Sequence, residues 1–234
     1  MRVSPLSDGD LLAVRRSPLL SGLEEADLAS VLNGATARFF QTETWLFGAG
    51  DPADRVFIVV DGAVRLFMLK PDGEETIIDV VGADSSFAEA AIFSPATYPV
   101  NAVAMAGTRL VGIAAASVLR ALRENHAVAL RMVDSLGRWE ARLMTELRRL
   151  KALSPAQRLA WYLLGLTTTT HGAVKVLLPF RKSVIASRIG MTPESFSRAL
   201  VRLRRLGIES RGQLVEIGDV AALREFCRSR ATPR

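Results

Sequence analysis

Residues 179–208 read PFRKSVIASRIGMTPESFSRALVRLRRLGI, a pattern of two short helices joined by a tight turn. The first helix carries Val184, Ile185, Ala186 and Ile189 on one apolar face. Gly190 ends it, because a helix closes readily on a residue free to adopt a left-handed backbone. Met191 packs in the turn. Thr192 suits the N-cap of the second helix, and Pro193 suits its first position, where a missing N–H costs nothing. The second helix then buries Phe196, Leu200 and Leu203 and turns Glu194, Ser197, Arg198, Arg202 and Arg205 the other way. That outer face has the chemistry of base reading. Arginine bonds guanine O6 and N7 as a fork, glutamate accepts from cytosine N4, and serine lets the helix come close. A helical hairpin with a solvated basic face is the plainer alternative. The turn glycine, the capped second helix and the Glu-x-x-Ser-Arg run favour a helix-turn-helix seated in the major groove of double-stranded DNA. The expected contacts are Arg181, Lys182, Thr192, Pro193, Glu194, Ser197, Arg198 and Arg202.

The flanking sequence completes a domain. Upstream, Ser154 and Pro155 cap and begin a helix that runs to about Leu166. A loop at 167–172 and a strand at 174–178 follow. Downstream, residues 208–217 read as a hairpin, a wing with Arg211 at its tip for the DNA phosphates, and a helix at about 219–229 ends the domain. Residues 154–234 hold 14 basic and 5 acidic side chains, whereas residues 1–153 hold 16 and 19. The net charge of +6 is therefore concentrated at the C-terminal end. A basic domain following a slightly acidic one is the pattern expected for phosphate binding.

Composition excludes other classes. The chain has 234 residues, 49% of them hydrophobic, which is enough for two packed cores. No apolar run is long enough to cross a bilayer, and the N-terminus lacks the order of a signal peptide. The expectation is a cytoplasmic protein with no membrane partner. A single cysteine, Cys227, rules out an intrachain disulfide or a four-cysteine metal site. A metal-dependent enzyme on a β-roll would need histidines on adjacent strands. No histidine precedes His126, so no enzyme and no metal site is expected.

The first half reads as strands after two short helices at about 8–17 and 24–33. Arg38–Phe40, Trp45–Phe47, Val56–Val60, Val64–Met68 and Thr76–Val80 are short and rich in β-branched and aromatic residues, and further strands lie near 100–106 and 108–114. Turn signals at 48–52, 61–62 and 71–73 separate them, and Asp61-Gly62 reads as a tight hairpin. Such spacing indicates a jelly roll, whose interior can take a small ligand. Residues 82–93 read as a short helical insert and 94–99 as a loop.

From about Ala127 to Lys151 the chain reads as one helix, roughly 38 Å long. Met132, Leu136, Trp139, Leu143, Leu147 and Leu150 recur at near-heptad spacing and form the expected seam of a parallel homodimer. A helix packed on its own roll is the alternative. Two-fold pairing suits a helix-turn-helix, since one copy reads only half a site. Leu153 to Pro155 is the expected hinge. The fold class is α+β: a double-stranded β-helix (1–125), a dimerisation helix (126–153) and a winged helix-turn-helix (154–234).

This order of parts, with Gly50-Asp51-Pro52-Ala53, Val56 to Leu66, Phe87 to Phe93 and Pro193 to Arg198, resembles the Crp/Fnr family of transcription regulators. The resemblance implies a homodimeric activator, with RNA polymerase and a small-molecule or gas effector as further partners. It also implies that Glu194, Ser197 and Arg198 read a TTGAT…ATCAA palindrome. Cyclic-nucleotide binders of the family carry Gly-Glu and then Arg-Ser, where this chain has Ala88-Glu89 and Val100-Asn101. No Arg or Lys lies between Lys70 and Arg109, and a bare buried phosphate is costly, which argues against cyclic AMP. The run Phe87 to Ala90 with Tyr98-Pro99-Val100 is most similar to the Dnr-type branch, in which nitric oxide is sensed through haem. The expected effector pocket is Phe67, Phe87, Glu89, Ile92, Val100, Asn101 and Met105. A haem there needs an axial ligand, and the nearest histidine in sequence is His126. A ligand-binding signalling module without gene regulation is the alternative, against which the basic C-terminal domain speaks.

Overall fold

The computed structural model describes residues 2–93 and 96–228. They form two compact units, Met1–Ala141 and Arg142–Arg234. The first contains β1 (Arg2–Ser4), α1 (Asp8–Arg16), α2 (Glu25–Val31), β2 (Thr36–Phe40), β3 (Thr44–Phe47), β4 (Arg55–Asp61), β5 (Ala63–Leu69), β6 (Glu75–Gly82), β7 (Ser86–Phe87), β8 (Asn101–Ala104), β9 (Thr108–Ala114) and α3 (Ala115–Glu124). Helix α4 (His126–Ala152) begins in this unit and ends in the next.

Two antiparallel sheets build the roll, one ordered β1-β2-β9-β4-β7 and the other β3-β8-β5-β6. The five-stranded sheet is apolar on both faces. Val56, Ile58, Val111 and Ile113 pack with residues of α1, α2, α3 and α4. Phe57, Val59, Leu110 and Phe87 pack with Phe47, Val64, Val81, Ala102 and Ala104 of the other sheet. Helix α1 is fastened by a capping box between Ser7 and Asp10. The same Asp10 carboxylate, fully buried, takes two bonds from the Arg109 fork on β9, at 2.6 and 2.7 Å.

Two expectations need correction. Asp61-Gly62 does not close a hairpin, because β4 pairs with β9 and β7 while β5 pairs with β6 and β8. It is a corner at which the chain crosses between sheets. Gly62 is in the left-handed region at φ +78°, and a Cβ there would lie 2.7 Å from the Thr108 backbone. The Thr108 hydroxyl completes the corner by bonding both the N–H and the C=O of Ala63. Residues 82–93 are likewise not a helix. After the two-residue β7 they form turns closed by Ala91 N–H to Ala88 C=O and Phe93 N–H to Ala90 C=O. Ala88 stands at φ +68°, outside the helical region. Of the loop expected at 94–99, Ser94 and Pro95 lie outside the described residues, as does residue 229 of the last expected helix.

The second unit holds the end of α4, then α5 (Pro155–Leu164), β10 (Val174–Leu177), α6 (Lys182–Arg188), α7 (Pro193–Arg204), β11 (Ile208–Arg211), β12 (Leu214–Ile217) and α8 (Val220–Arg228). Its sheet runs β10-β12-β11, antiparallel throughout. Leu159 and Leu163 of α5, Ile185 and Ala186 of α6, and Phe196, Ala199 and Leu203 of α7 make one core with the sheet and α8. Ala199 takes the fully buried place in mid-helix, and Leu200 is half-buried beside it.

Candidate nucleic-acid interface and sensor interior

Helix α7 is set up by three local devices. Gly190, at φ +67°, turns the chain out of α6. Thr192 caps α7, its hydroxyl accepting from Ser195 N–H at 3.2 Å, and Pro193 begins the helix. Burying Phe196, Ala199 and Leu203 fixes which face is left outside. Glu194, Ser197, Arg198 and Arg202 are all exposed on that face, with Thr192 and Pro193 at its start. Arg181 is the N-cap of α6 and exposed, and Lys182 beside it is half-buried. Arg211 ends β11 next to the turn glycine Gly212 and is almost wholly exposed.

The chemistry of this face is specific. The Thr192 hydroxyl bonds the Glu194 carboxylate and Arg198 lies near it, which holds Glu194 below the usual carboxylate range. It therefore presents an acceptor, as a cytosine amine requires. The Ser197 hydroxyl donates to Pro193 C=O one turn back at 3.0 Å, so it offers lone pairs outward.

One residue that the sequence did not single out serves this turn. Arg158 of α5 places Nη1 2.9 Å from both Ile189 C=O and Gly190 C=O. Leu150 of α4 closes the same point, since a Cβ on Gly190 would meet its Cδ2 at 2.6 Å.

Helix α4 carries an apolar stripe. The expected seam is only partly available, because Met132 is buried and Leu136 packed in the core of the first unit. Leu130 and Val133 stand outside instead, at 54% and 66% exposed, and Gly137 has open space beyond its Cα. With Met144 and Leu147 they repeat at 3, 4, 7 and 3, an a/d spacing interrupted by Glu140 at the intervening d position. Trp139, Leu143 and Leu150 are also partly exposed on the C-terminal half.

The expected effector pocket does not converge. Phe87 alone of the seven joins the interior cluster between the sheets. Phe67 and Asn101 face the other side of their sheet, in register with each other and beside Arg65, Val103 and Trp45. Trp45 meets Phe67 edge to face at 5.6 Å. The Asn101 amide is committed, accepting from Ala49 N–H and donating to Phe67 C=O. Ile92 belongs to the cluster under the helices. Met105 lies in the β8–β9 turn, donating its N–H to Ala63 C=O, Val100 is half-buried just before β8, and Glu89 accepts from the Ser86 hydroxyl.

The interior is occupied by a ring stack. Tyr98 lies on Phe47 at 3.6 Å, Phe47 stacks on Phe57 at 5.8 Å, and Phe57 on Phe87 at 5.1 Å. Tyr98 is 3% exposed. Its hydroxyl donates to Arg55 C=O or Asp54 Oδ1 and accepts from Arg55 N–H. Burial pushes the phenol up to about 12. The sequence offered a signal in the isolated Tyr98-Pro99 pair, but nothing local shows that this loop ring points inward.

Haem does not fit this interior. The Tyr98 hydroxyl is committed to Arg55 and Asp54, and the stacked rings occupy the space between the sheets. His126, the histidine of the first unit, is exposed at the start of α4, and Cys227 is buried in the second unit. Among the described residues no group of three or more His, Cys, Asp or Glu side chains is placed to hold a metal ion. No described helix is long and apolar enough to cross a membrane.

Comparison with known proteins agrees with this division. Residues 37–125 match the cyclic nucleotide-binding domain, and residues 157–226 match the Crp-like helix-turn-helix domain. A solved protein of Ruegeria pomeroyi named for cyclic nucleotide binding is 32% identical, with a TM-score of 0.66 over 95% of this chain and 98% of that one. The CRP-like cAMP-activated global transcriptional regulator of Mycobacterium tuberculosis is 25% identical over 91% of this chain and 97% of its own length. The structure of DNR from Pseudomonas aeruginosa is 25% identical with a TM-score of 0.54, covering 95% of this chain and all of that one. With a β-roll, a Crp-like reading domain and relatives matched along nearly the full length, the chain belongs to the Crp/Fnr family of transcription regulators.

Proposed function

We propose that this chain works as a homodimer that reads a two-fold DNA site through Glu194, Ser197 and Arg198 and regulates transcription there. The observation that carries this reading is the exposed row on α7, presented from a capped N-terminus over a buried apolar face. An apolar a/d stripe on α4 supports pairing with a second copy, which sets two such helices one turn of DNA apart. The site read is a TTGAT…ATCAA-like palindrome, and an activator contacts RNA polymerase from it in the cytoplasm.

The roll supports no cyclic-nucleotide requirement, although the mycobacterial relative is named for cAMP. Residues 71–108 contain no basic side chain for a phosphate, and Tyr98, Phe47, Phe57 and Phe87 fill the space between the sheets. Nor do its residues support nitric oxide sensing through haem.

Selection from a random duplex library, followed by footprinting, tests the proposal. It is expected to return a palindrome protected on both half-sites without added effector. Glu194→Ala relaxes base choice at one position per half-site, whereas Arg211→Ala weakens all sequences alike. Enrichment of no sequence, or of a single half-site bound by a monomer, refutes the reading.

A further inference from the structure

We propose that Arg158 is a positioning residue for DNA reading: it locks the turn between α6 and α7, so that base discrimination depends on a side chain that touches no base. The inference rests on the DNA-reading face argued above.

Arg158 is half-buried on α5, the helix that follows the α4 segment. Among the described residues, its hydrogen-bond acceptors are the carbonyls of Ile189 and Gly190, each 2.9 Å from Nη1. Its Nε is buried without a partner. Burial lowers the guanidinium below its ordinary value. A side chain held this way, with no carboxylate bonded to it, is placed by what it holds rather than by a charge pair. What it holds is the C-terminus of α6, where unpaired carbonyls and the negative end of the helix dipole attract a cation.

The held atoms are two and three residues before Thr192, the cap of α7, and the reading face starts at Glu194. Between them Gly190 takes φ +67°, and the chain has no slack. Met191 N–H is tied back to Ala186 C=O at 2.8 Å, and its side chain is buried. Leu150 of α4 closes the far side, its Cδ2 lying 2.6 Å from a Gly190 Cβ position, with Arg158 Nη1 at 2.9 Å. The turn is thus clamped between α4 and α5, and a methyl group on Gly190, already strained at φ +67°, would have to displace the ends of the Leu150 and Arg158 side chains. A lysine ammonium also has donors for two carbonyls, but it ends a shorter, flexible stem and cannot reach the place of Nη1 in the same way, so the conservative exchange retains charge and loses part of the geometry.

The test compares Arg158→Met, Arg158→Lys and wild type, all full-length, on the duplex selected by wild type and on a random duplex of equal length at several salt concentrations. Arg158→Met is expected to lower the ratio of specific to random affinity at least tenfold, with random affinity and salt slope unchanged, because the phosphate-facing cations remain in place. Arg158→Lys recovers part of the ratio. A role in stability alone would leave the ratio intact in the folded fraction, and that result overturns the proposal. Gly190→Ala gives an independent arm. It lowers the same ratio, and Leu150→Ala in that background restores part of it by making room. If Gly190→Ala folds and discriminates like wild type, the clamp is refuted. If wild type itself selects no sequence, the failure lies with the DNA-reading proposal.

Discussion

Asp10→Asn tests how the first unit is held together. The carboxylate is fully buried and accepts from Ser7 N–H at 2.8 Å, Ser7 Oγ at 2.7 Å, and Arg109 Nε and Nη2 at 2.6 and 2.7 Å. Its principal partner, the Arg109 fork, holds it at about 2, against an ordinary 3.8. That difference is worth about 2.5 kcal/mol in favour of the ionised folded form. An asparagine keeps the shape but turns an NH2 toward the donors of Arg109 or Ser7. Breaking a fully buried pair from one side costs about 3–5 kcal/mol. Arg109 is 28% exposed and can partly hydrate, so about 2–3 kcal/mol is expected near neutral pH. Because the folded value lies below the unfolded one, this stability is present above about pH 4 and is lost as the pH falls toward 2. Roughly 1 kcal/mol has gone by about pH 3. The assay is urea unfolding of wild type, Asp10→Asn, Arg109→Met and the double variant at about pH 7 and pH 3. A difference between wild type and Asp10→Asn below about 0.5 kcal/mol at neutral pH, or one that does not shrink on acidification, refutes the reasoning.

Other perturbations follow from the same coordinates. Ala88 sits at φ +68°, where a Cβ costs about 1–2 kcal/mol, partly offset by the greater freedom of glycine in the unfolded chain. Ala88→Gly is therefore expected to stabilise by about 0.5–1 kcal/mol in the same unfolding assay, and any destabilisation contradicts the geometry. Tyr98→Ala removes the end ring of the stack and is expected to cost about 3–4 kcal/mol. Added phenol should raise its melting temperature and leave that of wild type unmoved, and an equal response in both would mean that the ring is not filling the space. Val133→Glu places a charge on the open stripe of α4. By sedimentation it should leave a folded monomer with strongly reduced affinity for the palindrome, while Met132→Glu should instead destabilise the first unit.

The reading domain was the most legible part because its signals are local. A glycine for a left-handed turn, a threonine cap, a proline at the first helical position and a 3.6-residue apolar period each act within a few residues of the atoms they control. Composition and charge placed the basic domain at the C-terminal end for the same reason: they require no knowledge of which segments meet. The interior of the roll was less legible. Period-2 alternation showed that β5 and β8 have two faces, but it cannot say which face looks inward. The outcome put Phe67 and Asn101, both buried, on the face away from the interior cluster and only Phe87 within it. Asp61-Gly62 was misread because a two-residue turn between strands carries the same residues whether the strands pair with each other or leave for different sheets. The α4 seam went partly astray on the same ground: Met132 and Leu136 fit a heptad as well as Leu130 and Val133, and only packing into the core of the first unit takes the first pair away.

Residue order alone was thus sufficient for the class of fold, the succession of parts and the face of α7 that is left exposed, since covalent neighbours and helical period dictate these. Long-range packing was needed to assign the Asp10–Arg109 pair, the Tyr98 ring stack and the Arg158 clamp on Gly190. Asp10 and Arg109, Phe47 and Tyr98, and Arg158 and Gly190 lie 99, 51 and 32 residues apart, and no short-range propensity registers a contact until the chain has closed on itself.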